Sequence, residues 1–221
     1  MSHPVTEQKK PIKLADRYLS IKAKVIKCGF ASEIDWQDSL RFSNIHEKDF
    51  LREAAWVILS SGMRETIIRQ KFPAISSAFL DWNGAHSIVA NQQLCQQTAL
   101  EIFGNRLKIK AILEWASKIS KIGFKQIKSL IECEGINFIQ TLPFMGPATS
   151  YHFAKNIGLD VAKPDRHLVR IAYAAGYSNP SILCTDIART IGDRVSVIDL
   201  VLWRFATIES NYLEYFSFGK K

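Results

Sequence analysis

Strict alternation of apolar and polar residues, the mark of a half-buried β-strand, is almost absent from this chain of 221 residues. With no source of a sheet, an all-α architecture is expected. No apolar run approaches the roughly eighteen residues that span a bilayer, and no basic-then-apolar leader opens the chain, so neither a membrane partner nor export is expected. Cysteine is scarce too. The four cysteines, Cys28, Cys95, Cys133 and Cys184, form no CxxC pair, which argues against a zinc site or a disulfide framework. His152 and His167 lack ligand spacing, so no catalytic metal is expected from the histidines. Acidic residues are in deficit: 21 Asp and Glu against 29 Lys and Arg leave a formal charge of +8, which suits a polyanionic partner.

What the chain does contain is apolar residues at helical spacing, punctuated by glycine or proline. Residues 1–13 are polar, basic and broken by Pro4 and Pro11, and read as a disordered tail before a helical domain over 14–221. Leu14, Tyr18, Ile21 and Val25 then mark an amphipathic helix that Gly29 should stop. Further helices are expected before Gly62, before Pro73, over 87–103, over 106–121 and over 124–133. The second half repeats the habit before Gly158, Gly176 and Gly192, and closes with RVSVIDLVLWRFAT. Between Glu101 and Leu130 seven basic residues, Arg106, Lys108, Lys110, Lys118, Lys121, Lys125 and Lys128, face two acids, Glu101 and Glu114, which suggests a basic surface.

Two segments carry more chemistry than the rest. INFIQTLPFMGPATSYHFAKNI, residues 136–157, reads as two helices around a tight turn: Pro143 blocks the first helix, Gly146 permits the turn, and Pro147 suits the first position of the second. Free N–H groups of Ala148, Thr149 and Ser150 at that helix start, with the helix dipole behind them, would attract an anion such as a phosphate. One helix later comes KPDRHLVRIA, residues 163–172, where Asp165 stands as an N-cap residue before a helical run.

The hairpin followed by this segment resembles the helix-hairpin-helix (HhH-GPD) DNA glycosylases, the superfamily of endonuclease III and the alkylpurine glycosylases. Asp165, His167 and Arg170 match its V-D-x-H-x-x-R-V pattern, and the likeness covers the chain from Asn105 to Thr207. It implies a two-lobed helical fold with the active-site cleft between the lobes, double-stranded DNA containing a damaged or modified base as partner, a monomer, and a cytoplasmic, nucleoid-associated place of work. Asp165 would be the catalytic carboxylate. Gly146, Ala148, Thr149 and Ser150 would bind DNA, and the backbone carbonyls of Gln140, Leu142 and Met145 would hold a structural K+ or Na+. The family usually has glycine where this chain has Phe144. Its bifunctional members carry a lysine where this chain has Ala148, so a monofunctional hydrolase without lyase activity is implied. The iron-sulfur loop of some members is missing, since only Cys184 follows Asp165; no cluster and no required cofactor are expected.

WVILSSGMRETII resembles the family's early helix pair, whose joint carries the wedge that fills the gap left by a flipped base. Met63 and Arg64 are the candidates there, or else the joint is a plain turn with Met63 in the core. Trp82 is either a base-stacking ring or a buried anchor. Two other functions fit the same residues: a catalytically silent DNA-binding module, and a defence enzyme that excises modified bases from foreign DNA.

Overall fold

The computed structural model describes residues 9–217, and within them every regular element is helical. None of these helices is long and apolar enough to cross a membrane. The described residues form two compact units. One combines the two ends of the chain, up to Leu40 and from Gly158 on, and the other is Arg41–Ile157.

The unit made of the chain ends contains α1 (Lys9–Val25), α2 (Ala31–Ser39), α11 (Arg166–Ala174), α12 (Pro180–Ile191) and α13 (Val195–Ile208). Helix α1 begins five residues before the expected Leu14, so Lys9–Lys13 are helical rather than part of a tail, and residues 1–8 lie outside the described ones. Pro11 is no obstacle there, because a first-turn N–H has no helical acceptor to lose. Gly29 makes a kink instead of a stop: at φ 93 it sits in a π-turn, Ile26–Phe30, after which the chain resumes as α2. The core is built as the spacing of α1 requires. Leu14, Tyr18, Ile21 and Val25 pack with Leu168 and Ile171 of α11, Leu183 and Ile187 of α12, and Ile198, Val201, Leu202 and Phe205 of α13. Removing such a side chain typically costs about 2–5 kcal/mol. Arg194 gathers the points at which the chain leaves and re-enters this unit, donating to the carbonyls of Gln37 (3.1 Å), Leu40 (2.5 Å) and Gly158 (2.9 Å).

The inserted unit holds α3 (Glu47–Ser60), α4 (Glu65–Ala78), α5 (Ala85–Ala90), α6 (Gln92–Ile102), α7 (Arg106–Ile122), α8 (Phe124–Glu134), α9 (Ile136–Gln140) and α10 (Pro147–Asn156). Phe50 of α3 is its aromatic centre, with ring centroids 5.7 Å from Trp115, 5.3 Å from Phe124 and 5.0 Å from Phe153. Two boundaries differ from the sequence reading. Helix α4 runs through Pro73 to Ala78. An interior proline costs about 3 kcal/mol, but the apolar face continues past it through Phe72, Ile75 and Phe79, and Ile75 and Phe79 are fully buried. The single helix expected over 87–103 is two, because Asn91 leaves helical geometry at φ −111, ψ 24.

Candidate functional site

The hairpin is fastened from beneath. Leu142 and Met145 are buried, the Trp115 indole N–H donates to the Pro143 carbonyl at 3.0 Å, and Thr141 Oγ1 donates back to Phe138 at 2.7 Å. The turn closes through the Met145 N–H, which donates to the Leu142 carbonyl at 3.1 Å. Of the three carbonyls implied as cation ligands, that of Leu142 therefore already accepts one hydrogen bond and has one lone pair left.

Gly146 does not supply the unusual backbone of the turn. At φ −73, ψ −177 it takes an extended conformation open to any residue, and a Cβ there would meet only Thr149 Oγ1 at 3.9 Å. The left-handed residue is Phe144, at φ 63. Its carbonyl accepts from Thr149 Oγ1 at 2.8 Å.

Helix α10 starts with Gly146 as a cap that has no side chain and Pro147 as its first residue. The N–H groups of Ala148 and Thr149 follow and have no acceptor among the described residues. Ser150 differs from the expectation. Its N–H donates to the Gly146 carbonyl at 3.0 Å, and its fully buried hydroxyl lies 3.3 Å from Gln140 Nε2, so it braces the hairpin from inside. The fourth residue of a helix is the first whose N–H can reach an i−4 carbonyl, which is why Ser150 is lost as a donor and the two before it are not.

Asp165 lies in the other unit. Its Oδ1 accepts from the N–H groups of His167 (2.8 Å) and Leu168 (3.0 Å), capping α11, while Oδ2 has no hydrogen-bond partner among the described residues. The segment leading to it is pinned by the buried Asp199, whose Oδ2 accepts from the Lys163 N–H at 2.6 Å. The Asp165 N–H donates to the Lys163 carbonyl at 2.8 Å, a tight turn about Pro164. Burial lowers the pKa of the Lys163 ammonium, and the charge of Asp165 partly restores it. His167 Nδ1 lies 3.2 Å from the Tyr212 hydroxyl, so the imidazole packs and orients. Arg170 is exposed, with no ion pair among the described residues.

At the joint of α3 and α4, Gly62 turns the chain at φ 68 and both Met63 and Arg64 are exposed, Met63 by 39%. Met63 is therefore not a core residue. The joint is held from within by Lys108, which is buried rather than part of a basic surface: its Nζ donates to the carbonyls of Leu59 (2.7 Å) and Ser61 (2.5 Å), and burial lowers its pKa. Arg106, Lys110, Lys121 and Lys125 are exposed, while Lys118 and Lys128 lie over the rings of Phe138 and Phe42 at 5.4 and 5.6 Å. Trp82 is buried, its ring stacked on Phe79 at 5.1 Å and its N–H donating to Ser76 Oγ at 3.0 Å, so it anchors the core and offers no face to a flipped base.

Among the described residues no cluster of three or more His, Cys, Asp or Glu side chains is arranged to hold a metal ion. Lysine burial and the left-handed Phe144 are the features sequence reasoning missed; a glycine expected at that turn position, and absent, was the one available signal for the latter. Comparison with protein-family models and with curated proteins returned no match to this sequence.

Proposed function

We propose that the chain is a two-lobed helix-hairpin-helix DNA glycosylase that flips a damaged or modified base from double-stranded DNA and hydrolyses its N-glycosidic bond, leaving an abasic site. The observation that carries this reading is the state of Asp165: one carboxylate oxygen accepts from two backbone donors and is fixed, while the other has no hydrogen-bond partner among the described residues. Breaking the bond between base and sugar develops positive charge on the deoxyribose. A carboxylate already oriented by its own helix stabilises that charge without reorganising, and its open oxygen can orient or deprotonate the attacking water.

The hairpin serves binding. Ala148 and Thr149 present backbone donors to a phosphate, a contact that reads no sequence. The carbonyls of Gln140, Leu142 and Met145 are the groups that would hold a K+ or Na+ ion behind that phosphate, which is the chemistry hard cations prefer. Met63, exposed at a joint that Lys108 braces, is the apolar wedge, and Arg64 beside it pairs with the orphaned base. The hairpin carries no amine at Ala148, so base release is hydrolytic.

Duplexes carrying single alkylated, oxidised or deaminated bases test the proposal. Free base should appear from at least one class, with an intact abasic strand and no borohydride-trapped adduct. No release from any class would sink the glycosylase reading. A trapped adduct would transfer the chemistry to an amine, with Lys163 the first to replace.

A further inference from the structure

Phe144 combines three properties. Its backbone is left-handed at φ 63, a region in which an L side chain is strained and glycine is not. The residue is 39% exposed, so part of its surface remains open to solvent. It stands at the hairpin apex, where its carbonyl accepts from Thr149 Oγ1, so its backbone is tied to the residue whose N–H is one of the two open donors of α10.

An aromatic face beside backbone donors matches the two things a nucleotide offers, a base to stack and a phosphate to bind. We infer that Phe144 stacks on an unstacked nucleobase of the strand whose phosphate the hairpin holds, so that the protein selects DNA in which the helix is already interrupted. The inference rests on the reading of the hairpin as a DNA contact and adds to it a preference that a glycine at this place could not give. In an intact duplex every base face is covered by its neighbours and the ring finds nothing to stack on. A bulge or a single strand exposes such faces, and stacking of this kind is worth about 1–3 kcal/mol per base, or roughly 5- to 150-fold in affinity.

The experiment measures the affinity of the full-length chain for a single strand, an intact duplex and a duplex with a single-nucleotide bulge. Wild type should prefer the bulged duplex to the intact one. Phe144→Gly and Phe144→Asn, both tolerant of the left-handed backbone, should lose most of that preference while changing affinity for intact duplex much less, and Phe144→Trp should keep it. Both variants should keep a cooperative thermal transition, which separates a lost contact from a lost fold. Equal affinity of wild type for bulged and intact duplexes, or an unchanged preference in both Phe144→Gly and Phe144→Asn, overturns the inference. Base release from modified duplexes, measured on the same preparations, reports separately on the glycosylase reading: release with no bulge preference leaves that reading standing and removes only the role of Phe144.

Discussion

Helices α10 and α11 begin in opposite ways. Helix α10 starts at Gly146, which has no side chain to cap it, and leaves the donors of Ala148 and Thr149 open. Helix α11 starts at Asp165, which satisfies the donors of His167 and Leu168 with one oxygen and keeps the other. Every helix start leaves first-turn amides without helical acceptors, apart from a proline such as Pro147 that has no N–H. Whether the cap is missing or present decides which sign of charge the end can receive: α10 can accept an anion, and α11 presents one. A DNA glycosylase needs both, a donor for phosphate and a carboxylate for the charge that develops on the sugar.

Removing the charge from α11 while keeping its cap is the harshest test of that contrast. Asp165→Asn should lower single-turnover base release by about 10² to 10³, the equivalent of about 3 kcal/mol for one preorganised electrostatic group. Asparagine caps nearly as well as aspartate, so the melting temperature should hardly move. Normal release by a folded Asp165→Asn protein would reduce Asp165 to a cap.

The reverse experiment gives α10 the cap it lacks. Gly146→Asp fits without strain, since φ −73 suits any residue and the added Cβ meets only Thr149 Oγ1 at 3.9 Å. The new carboxylate should stabilise the helix start by about 0.5–1 kcal/mol. It should also weaken DNA binding by roughly tenfold or more, as expected for losing one charge-assisted hydrogen bond of about 1.5 kcal/mol. The slope of log affinity against log salt should become shallower by about 0.9, one phosphate's share. A protein that gains the stability and keeps its affinity would show that DNA does not contact these donors.

Much of this contrast is legible in the residues themselves. Pro147 after Gly146 and Asp165 before a helical run mark both helix starts, because caps and first-turn prolines act locally and leave a local signature. What escapes is whatever depends on distant neighbours. Lys108 reads as one more surface lysine of α7, yet carbonyls of Leu59 and Ser61, some fifty positions earlier, draw it inside. Pro73 reads as a stop, and only the burial of Ile75 and Phe79 beyond it explains why the helix continues. Helix α2 buries only Ile34 and Gln37, too few to print a periodic pattern. Phe144 escapes for a different, local reason: no residue type except glycine announces a left-handed backbone. The family resemblance calls for glycine there, and the structure shows the backbone in glycine's own conformation with a phenylalanine in place.

The smallest expected effect concerns the far end of α10. Asn156, its last residue, donates to Glu53 Oε2 at 3.1 Å, so a half-buried carboxyl stands at a helix C-terminus, where the dipole repels negative charge. Asp165, by contrast, stands at a helix start, where the dipole favours it. Burial raises the pKa of Glu53 against the opposing pull of Arg52 and Asn156. The native state then holds this proton more tightly than the unfolded chain does, so stability should fall as pH rises from the ordinary carboxylate range through the raised value of Glu53, and level off above it. Glu53→Gln keeps an acceptor for Asn156 and removes the titration. Its melting temperature should therefore gain on wild type as pH rises from about 4 to neutrality, by roughly a few degrees. An advantage that stayed constant with pH, or that grew toward acid, would mean that Glu53 ionises in the folded protein at no cost and that the end of α10 imposes none.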